Sequence, residues 1–398
     1  MTRELCPICN SSNVLPTIHR DALVTMQNYV YHHANEAQDA KIGEFLLTIC
    51  SQCGFAYNSC FDKKLMQYDE NYNNSVPSRV FESYYQEIAS FLYEEFPIKN
   101  GTVIDIGCGK GHFLRTLCAK YPDITGIGID PSYERTVKDI DGEQKCYFID
   151  DIFKADYVKQ KPNLVICRHV IEHIYHPVVF LKQIHLALNK FQNIPVFIEV
   201  PDLKWILDNN AFWDFCYEHC NYFTADSLSH TLERAGFSVE KTYSAFNNQY
   251  LWLKSTTKSM PLTTYKGWKD TTDIIEHLKS YIEREKELID KVRSTLLSIK
   301  EKQTIVIWGM STKGVVFSNL LDPTNCLIDY CVDINTSKQY CFVPHTAHKI
   351  YPPEVLQSNS QNSFVIIVMN PNYLDEIKTK CRELSLDANF LDANMTQL

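Results

Sequence analysis

The chain has 398 residues, a formal net charge of −9, and 45% hydrophobic and 22% charged residues. That length allows two or three domains and a sizeable core. The acidic balance argues against nucleic acid or an anionic membrane as partner, and no stretch approaches the ~20 apolar residues of a membrane helix.

Residues 1–62 are dominated by two CxxC pairs, Cys6 with Cys9 and Cys50 with Cys53. Two intervening residues let both thiolates of a pair reach one ion across a tight turn, and four thiolates complete the tetrahedral shell of a structural zinc. Pro7 and Gly54 stand where such turns need them. The long gap between Cys9 and Cys50 requires a small subdomain to fill it. MTRELCPICN lacks the charged-then-apolar layout of a secretion signal, so a cytoplasmic protein is expected. In that reducing setting the fifteen cysteines read as buried apolar residues plus metal ligands.

A tyrosine-rich connector follows, from Tyr68 to Ser78, and then helical periodicity from Val80 to Phe96. Five short apolar strands come next, at 102–106, 125–129, 147–149, 164–167 and 195–200, with helices between them. Such alternation predicts a parallel, doubly wound sheet, which binds ligands at the carboxyl ends of its strands. Apolar positions from Ile274 to Ile299 recur at helical spacing and predict one long amphipathic helix or two shorter ones. The last hundred residues resume the alternation, with strands at 304–308, 327–332 and 364–369. The expected divisions are a zinc-binding domain (1–62), a central α/β domain (63–260), a helical connector (261–302) and a smaller Rossmann-like domain (303–398).

Three motifs carry chemistry. In DIGCGKG, the glycines Gly107, Gly109 and Gly111 follow a strand and open a helix, so the backbone turns sharply and a ligand can press against it. A dinucleotide site would set such a loop against pyrophosphate. The acidic Asp105 beside it instead suits the ammonium and sulfonium of S-adenosylmethionine (SAM). Asp130, ending the next strand, suits the ribose hydroxyls, and Asp150 or Asp151, ending the third, suits the adenine amino group. The fourth strand runs into RHVIEHIYHP, which brings His169, Glu172 and His173 to the end facing the cofactor. FWDFCYEHCNYFT places Tyr217, Glu218 and His219 among aromatic residues, and a carboxylate beside a histidine tunes it as a general base. The local alternative for each is an ordinary capping or core role.

Together these residues resemble the bacterial sugar C-methyltransferases, which build branched deoxysugars on a nucleotide carrier. The resemblance covers essentially the whole chain. It rests on the four cysteines, Gly107–Gly111, His169–His173, the EHxxYF run Glu218–Phe223, Lys313–Gly314, the run Asp333–Gln339 and the variant Pro344-His345-Thr346. It implies a class I SAM-dependent methyltransferase core between an N-terminal zinc-binding domain and a C-terminal Rossmann-like substrate domain. It also implies a nucleotide-linked 4-keto-6-deoxyhexose as substrate. His219 would be the base, Glu218 and His173 would orient the sugar or hold the enolate, and Tyr72 would close over the site. His169 would stand on the cofactor side. The family's Tyr-His-Glu-His becomes Cys216-Tyr217-Glu218-His219 here, which leaves the sugar, and methylation at oxygen or nitrogen of another metabolite, open. A zinc scaffold without activity is a further alternative. The oligomeric state is also open.

Overall fold

The computed structural model describes residues 3–69, 71–134, 145–257, 270–359 and 363–398. The expected boundary at 260/261 lies outside them. Three sheets organise the chain.

The first is N-terminal and antiparallel. Strands β1 (Val14–Val24) and β2 (Ile42–Cys50) form a hairpin, with helix α1 (Ala34–Gln38) in the connection, and β3 (Ala56–Asn58) pairs with β2. This hairpin fills the interval between the two cysteine pairs. Phe45, Leu47 and Ile49 alternate inward along β2 with no exposed surface, the period-two pattern of a sheet with one buried face.

Helix α2 (Arg79–Glu95) opens the central domain. Its N-cap is Ser78, whose Oγ accepts from the Val80 and Phe81 amides. Then come β4 (Thr102–Ile106), α3 (His112–Lys120), β5 (Thr125–Ile129), β6 (Cys146–Ile149), β7 (Leu164–Arg168), α4 (Pro177–Leu188), β8 (Pro195–Pro201) and α5 (Leu203–Asp208). The five strands are parallel, in the order β8-β7-β4-β5-β6. β7 is buried along its whole length, as a strand covered on both faces must be.

After α5 the chain leaves this sheet. Strand β9 (Asn221–Tyr222) pairs with β3 and so completes the N-terminal sheet. Helix α6 (Ala225–Ala235) leads back to β10 (Ser238–Ala245) and β11 (Tyr250–Thr256), which add two antiparallel strands beyond β8. The full central order is β10-β11-β8-β7-β4-β5-β6. These last two strands carry mixed, partly exposed faces, and the sequence signal for them was correspondingly weak.

Helix α7 (Thr272–Lys300) is one continuous element, burying Leu278, Tyr281, Val292 and Leu296. The third sheet is wholly parallel, in the order β14-β13-β12-β15-β16. It contains β12 (Thr304–Trp308), α8 (Thr312–Leu321), β13 (Tyr330–Val332), β14 (Ile350–Tyr351), β15 (Phe364–Val368), α9 (Leu374–Glu383) and β16 (Ala388–Asp392). The expected strand at 327–332 is shortened to three residues. Asp322 accepts the Leu327 and Ile328 amides and holds that stretch out of the ladder.

One hydrophobic core joins Phe45 and Leu47 of the first sheet, Phe212 and Phe215, Tyr281 of α7, and Ile305 and Phe317 of the third unit. Residues 203–222 therefore lie where the first sheet, α7 and the third unit meet. Among the described residues, no helix is long and apolar enough to cross a membrane.

Candidate active site and metal centre

The glycine loop follows β4 and reaches the first turn of α3. Gly107, Gly109 and Gly111 all take left-handed φ, at 77°, 54° and 78°. A Cβ on Gly111 would stand 2.5 Å from the Phe148 ring, whereas a Cβ on Gly109 would meet nothing within 4 Å. The strand-end cradle is thus open at Gly109, where a bound molecule can lie on the backbone. Asp130 closes the loop, since one of its oxygens accepts the Gly109 amide at 2.8 Å and the other accepts the amide and hydroxyl of Ser132. Phe148 stacks on Tyr133 at 4.4 Å and makes an apolar wall beside the glycines.

Asp105 lies within β4 rather than at its tip, 3% exposed. Burial pushes its carboxyl up to about 7, against the pull of Arg168. Asp150 is exposed at the end of β6. Asp151 is turned into its own loop, accepting from Lys154, Tyr157 and the Ile152 amide. Of the two expected adenine contacts, Asp150 has the freer carboxylate. His169 takes φ 52° just beyond β7, with Nδ1 3.3 Å from Glu172 and Nε2 3.6 Å from Glu199. Burial opposes its charge, but Glu199 and Glu172 outweigh this and lift it to about 9.

The second constellation surrounds Glu218, which is 1% exposed. One oxygen accepts the backbone amides of Gln27 at 2.5 Å and Asn28 at 3.3 Å, and the other accepts the Tyr72 hydroxyl at 2.9 Å. Asn28 is itself gripped by the third unit, donating to Thr312 and accepting from the Lys338 ammonium at 2.9 Å. Lys338 is buried and also bonds Ser311 and the Met310 carbonyl. The N-terminal segment and the connector therefore hold this carboxylate directly, and the third unit supports it through Asn28. Burial pushes Glu218 above the usual carboxylate range, and its amide and phenol donors work against that rise.

His173 and His219 face each other with ring centroids 4.9 Å apart. His173 Nδ1 lies 3.0 Å from the Glu218 carbonyl and 3.4 Å from the Tyr68 hydroxyl. Burial, then the nearby His173, His169 and Lys313, hold His219 well below the ordinary imidazole range. Lys313 pairs with Asp214 at 2.5 Å.

Of the expected catalytic set, the structure brings Tyr72, His173, Glu218 and His219 together. Tyr217 is not among them. Its hydroxyl accepts the Asp62 amide, its ring packs on Phe61, and it is 1% exposed. A side chain at Gly43 would collide with that ring, so Tyr217 is a core residue of the N-terminal sheet. Sequence reading had not singled out Tyr68, although it stands in the same connector as Tyr72. Gln27 and Asn28 carry no motif, because a backbone donor leaves none, whereas Lys338 lies in the run Asp333–Gln339 without a role that its sequence could give.

The four cysteines converge. Cys6 and Cys53 sulfurs are 3.6 Å apart, Cys9 and Cys50 are 3.5 Å apart, and all four lie within 4.8 Å of one another. Zinc bound to four thiolates at ~2.3 Å requires sulfur separations of about 3.8 Å. The Gly54 amide bonds the Cys50 carbonyl and the Asn10 amide bonds that of Cys6, closing both turns. The donor set and spacing fit the ion.

Residues 78–242 match the family model described as a methyltransferase domain. Residues 262–390 match the model described as a C-methyltransferase C-terminal domain. Among solved structures, a riboflavin-derivative dimethyltransferase from Streptomyces davawensis is 17% identical, covering 44% of this chain and 53% of its own, with TM-score 0.36. Magnesium protoporphyrin IX methyltransferase from Synechocystis, solved with bound SAH, is 14% identical over 47% of this chain and 91% of its own, with TM-score 0.36. The cyclopropane synthase MmaA2 from Mycobacterium tuberculosis is 14% identical over 40% and 62%, with TM-score 0.32. The chain spans about half the length of the first of these. No curated protein matches.

Proposed function

We propose, from the premise that this chain is a SAM-dependent methyltransferase carrying a C-methyltransferase C-terminal domain, that it methylates carbon. The acceptor is the carbon beside the ketone of a nucleotide-linked 4-keto-6-deoxy sugar. The observation that carries this reading is the buried Glu218 carboxylate, held by Gln27, Asn28 and Tyr72, in the same segment as His219, whose ring faces His173. Methylating an oxygen needs a base alone. A carbon acid needs a base and a stabiliser for the enolate as well.

In this reading His219 removes the proton beside the ketone, and the electron pair of that C–H bond moves onto the carbonyl oxygen. Tyr72 is held by Glu218 and His173 by the Glu218 carbonyl, so both are fixed in place before the substrate arrives. Tyr68 adds a hydroxyl to the same wall. Bound SAM would supply an electrophilic methyl group: the enolate carbon would take it as the methyl–sulfur bond breaks, S-adenosylhomocysteine would leave, and the ketone would re-form. Asp105, Asp130, Asp150 and the open face of Gly109 would hold that cofactor, with His169 between it and the acceptor. The cysteine cluster would hold a structural zinc, closed to chemistry because four thiolates leave no open position.

The test is product structure. The protein is incubated with 13C-methyl SAM and a nucleoside diphosphate 4-keto-6-deoxyhexose, and the product is read by NMR. The reading expects a labelled methyl coupled to a ring carbon. A labelled methyl on oxygen or nitrogen would replace it with the broader methyltransferase alternative.

A further inference from the structure

Glu172 is an anomaly in this site. It is 1% exposed, and among the described residues neither carboxylate oxygen has a partner of good hydrogen-bond geometry. His169 stands beside it as an ion-pair partner, with Nδ1 3.3 Å from Oε1. A buried carboxylate served only by that imidazole carries a large desolvation cost, and such groups are found more fully paired or on metals. Two imidazoles stand beside it. One ligand atom from each of Glu172, His173 and His219 lies within 4.8 Å of the others. His173 already has the tautomer a ligand needs, since its Nδ1–H is directed at the Glu218 carbonyl and Nε2 is left as a lone pair. Backbone orientation of this kind is typical of metal-bound histidine.

We infer that Glu172, His173 and His219 form a second, divalent-cation site, separate from the four cysteines, whose occupancy switches the enzyme off. Two imidazoles and one carboxylate suit a borderline ion such as zinc, cobalt or nickel, and three protein ligands leave a position open to water. An ion bound there takes the His219 lone pair that would otherwise accept the substrate proton. Metal and proton compete for one nitrogen, and no redox change is involved. The inhibition rests on the reading of His219 as base; the binding does not.

The experiment uses the full chain with zinc in its cysteine cluster. Cobalt(II) is titrated in without substrate while absorption and bound metal are recorded. The inference expects one further cobalt per chain, with ligand-field bands of nitrogen and oxygen ligands and no thiolate charge-transfer. Turnover should fall in step with its occupancy. Glu172→Gln should weaken this cobalt roughly tenfold or more and leave the cysteine-bound zinc in place. A wild-type protein that takes up no cobalt beyond the cysteine cluster would overturn the site without relying on any variant. Equal binding by Glu172→Gln would overturn the ligand assignment, and binding without loss of turnover would overturn the competition. Deuterium exchange into a keto-sugar, measured before cobalt is added, separates a failure of the base reading from a failure of the metal site.

Discussion

At the scale of single residues, protonation decides what the site can bind. Asp105 titrates at about 7 because burial disfavours its charged form. A cationic amino group beside it needs that charge, so below pH 7 binding must first expel a proton. SAM affinity should therefore rise as pH increases through 7, by roughly tenfold between pH 6 and 7.5, as linkage requires. Calorimetry across that range checks this, and Asp105→Asn should flatten the slope. The sequence displayed the acids and the Glu-His pair but not their directions. Tyr217 and Glu218 are adjacent in sequence, yet one side chain turns into the N-terminal sheet and the other into the site. A single sequence holds no record of that divergence, because it depends on Gly43 leaving room for the ring.

At the scale of elements, helix α2 couples the central sheet to the third unit. Ser78 caps its N-terminus and also donates to Glu376 of α9 at 2.5 Å. Ser78→Ala should cost about 1–2 kcal/mol through the lost cap, seen as a lower unfolding midpoint in urea, with the SAM site intact. The parallel strands of the central sheet, β12, β15 and α7 were legible because their patterns are strong, with apolar runs for the strands and a 3.6-residue repeat for the helix, whereas the edge strands β14 and β16 were not foreseen. The hairpin β10–β11 was not, since its faces are mixed. Neither was β9, whose two residues belong to a sheet begun more than a hundred and fifty positions earlier, with register fixed only by the tertiary fold.

At the scale of the whole molecule, the cysteine cluster and the proposed base are linked through one short ladder. Cys50 ends β2, Cys53 precedes β3, and β3 pairs with β9, which begins two residues after His219. Losing the metal should therefore loosen the catalytic segment more than the glycine loop, which follows β4 of a different sheet. Cys50→Ser is expected to lose zinc, lower the thermal midpoint and abolish turnover while SAM still binds; unchanged turnover in a zinc-free protein would break that link. The three-part organisation was visible in the cysteine pairs and the two runs of β/α alternation. Their convergence on Glu218, through Gln27, Asn28, Tyr72, Thr312 and Lys338, emerged only with the fold. The central claim is that this convergence serves carbon acidity, and proton exchange reads it without the methyl donor. With a nucleotide-linked 4-keto-6-deoxy sugar in deuterium oxide and no SAM, the wild-type protein should exchange the hydrogen beside the ketone. His219→Ala should not, although it still binds SAM. Methylation by a wild-type protein that shows no such exchange would contradict the account.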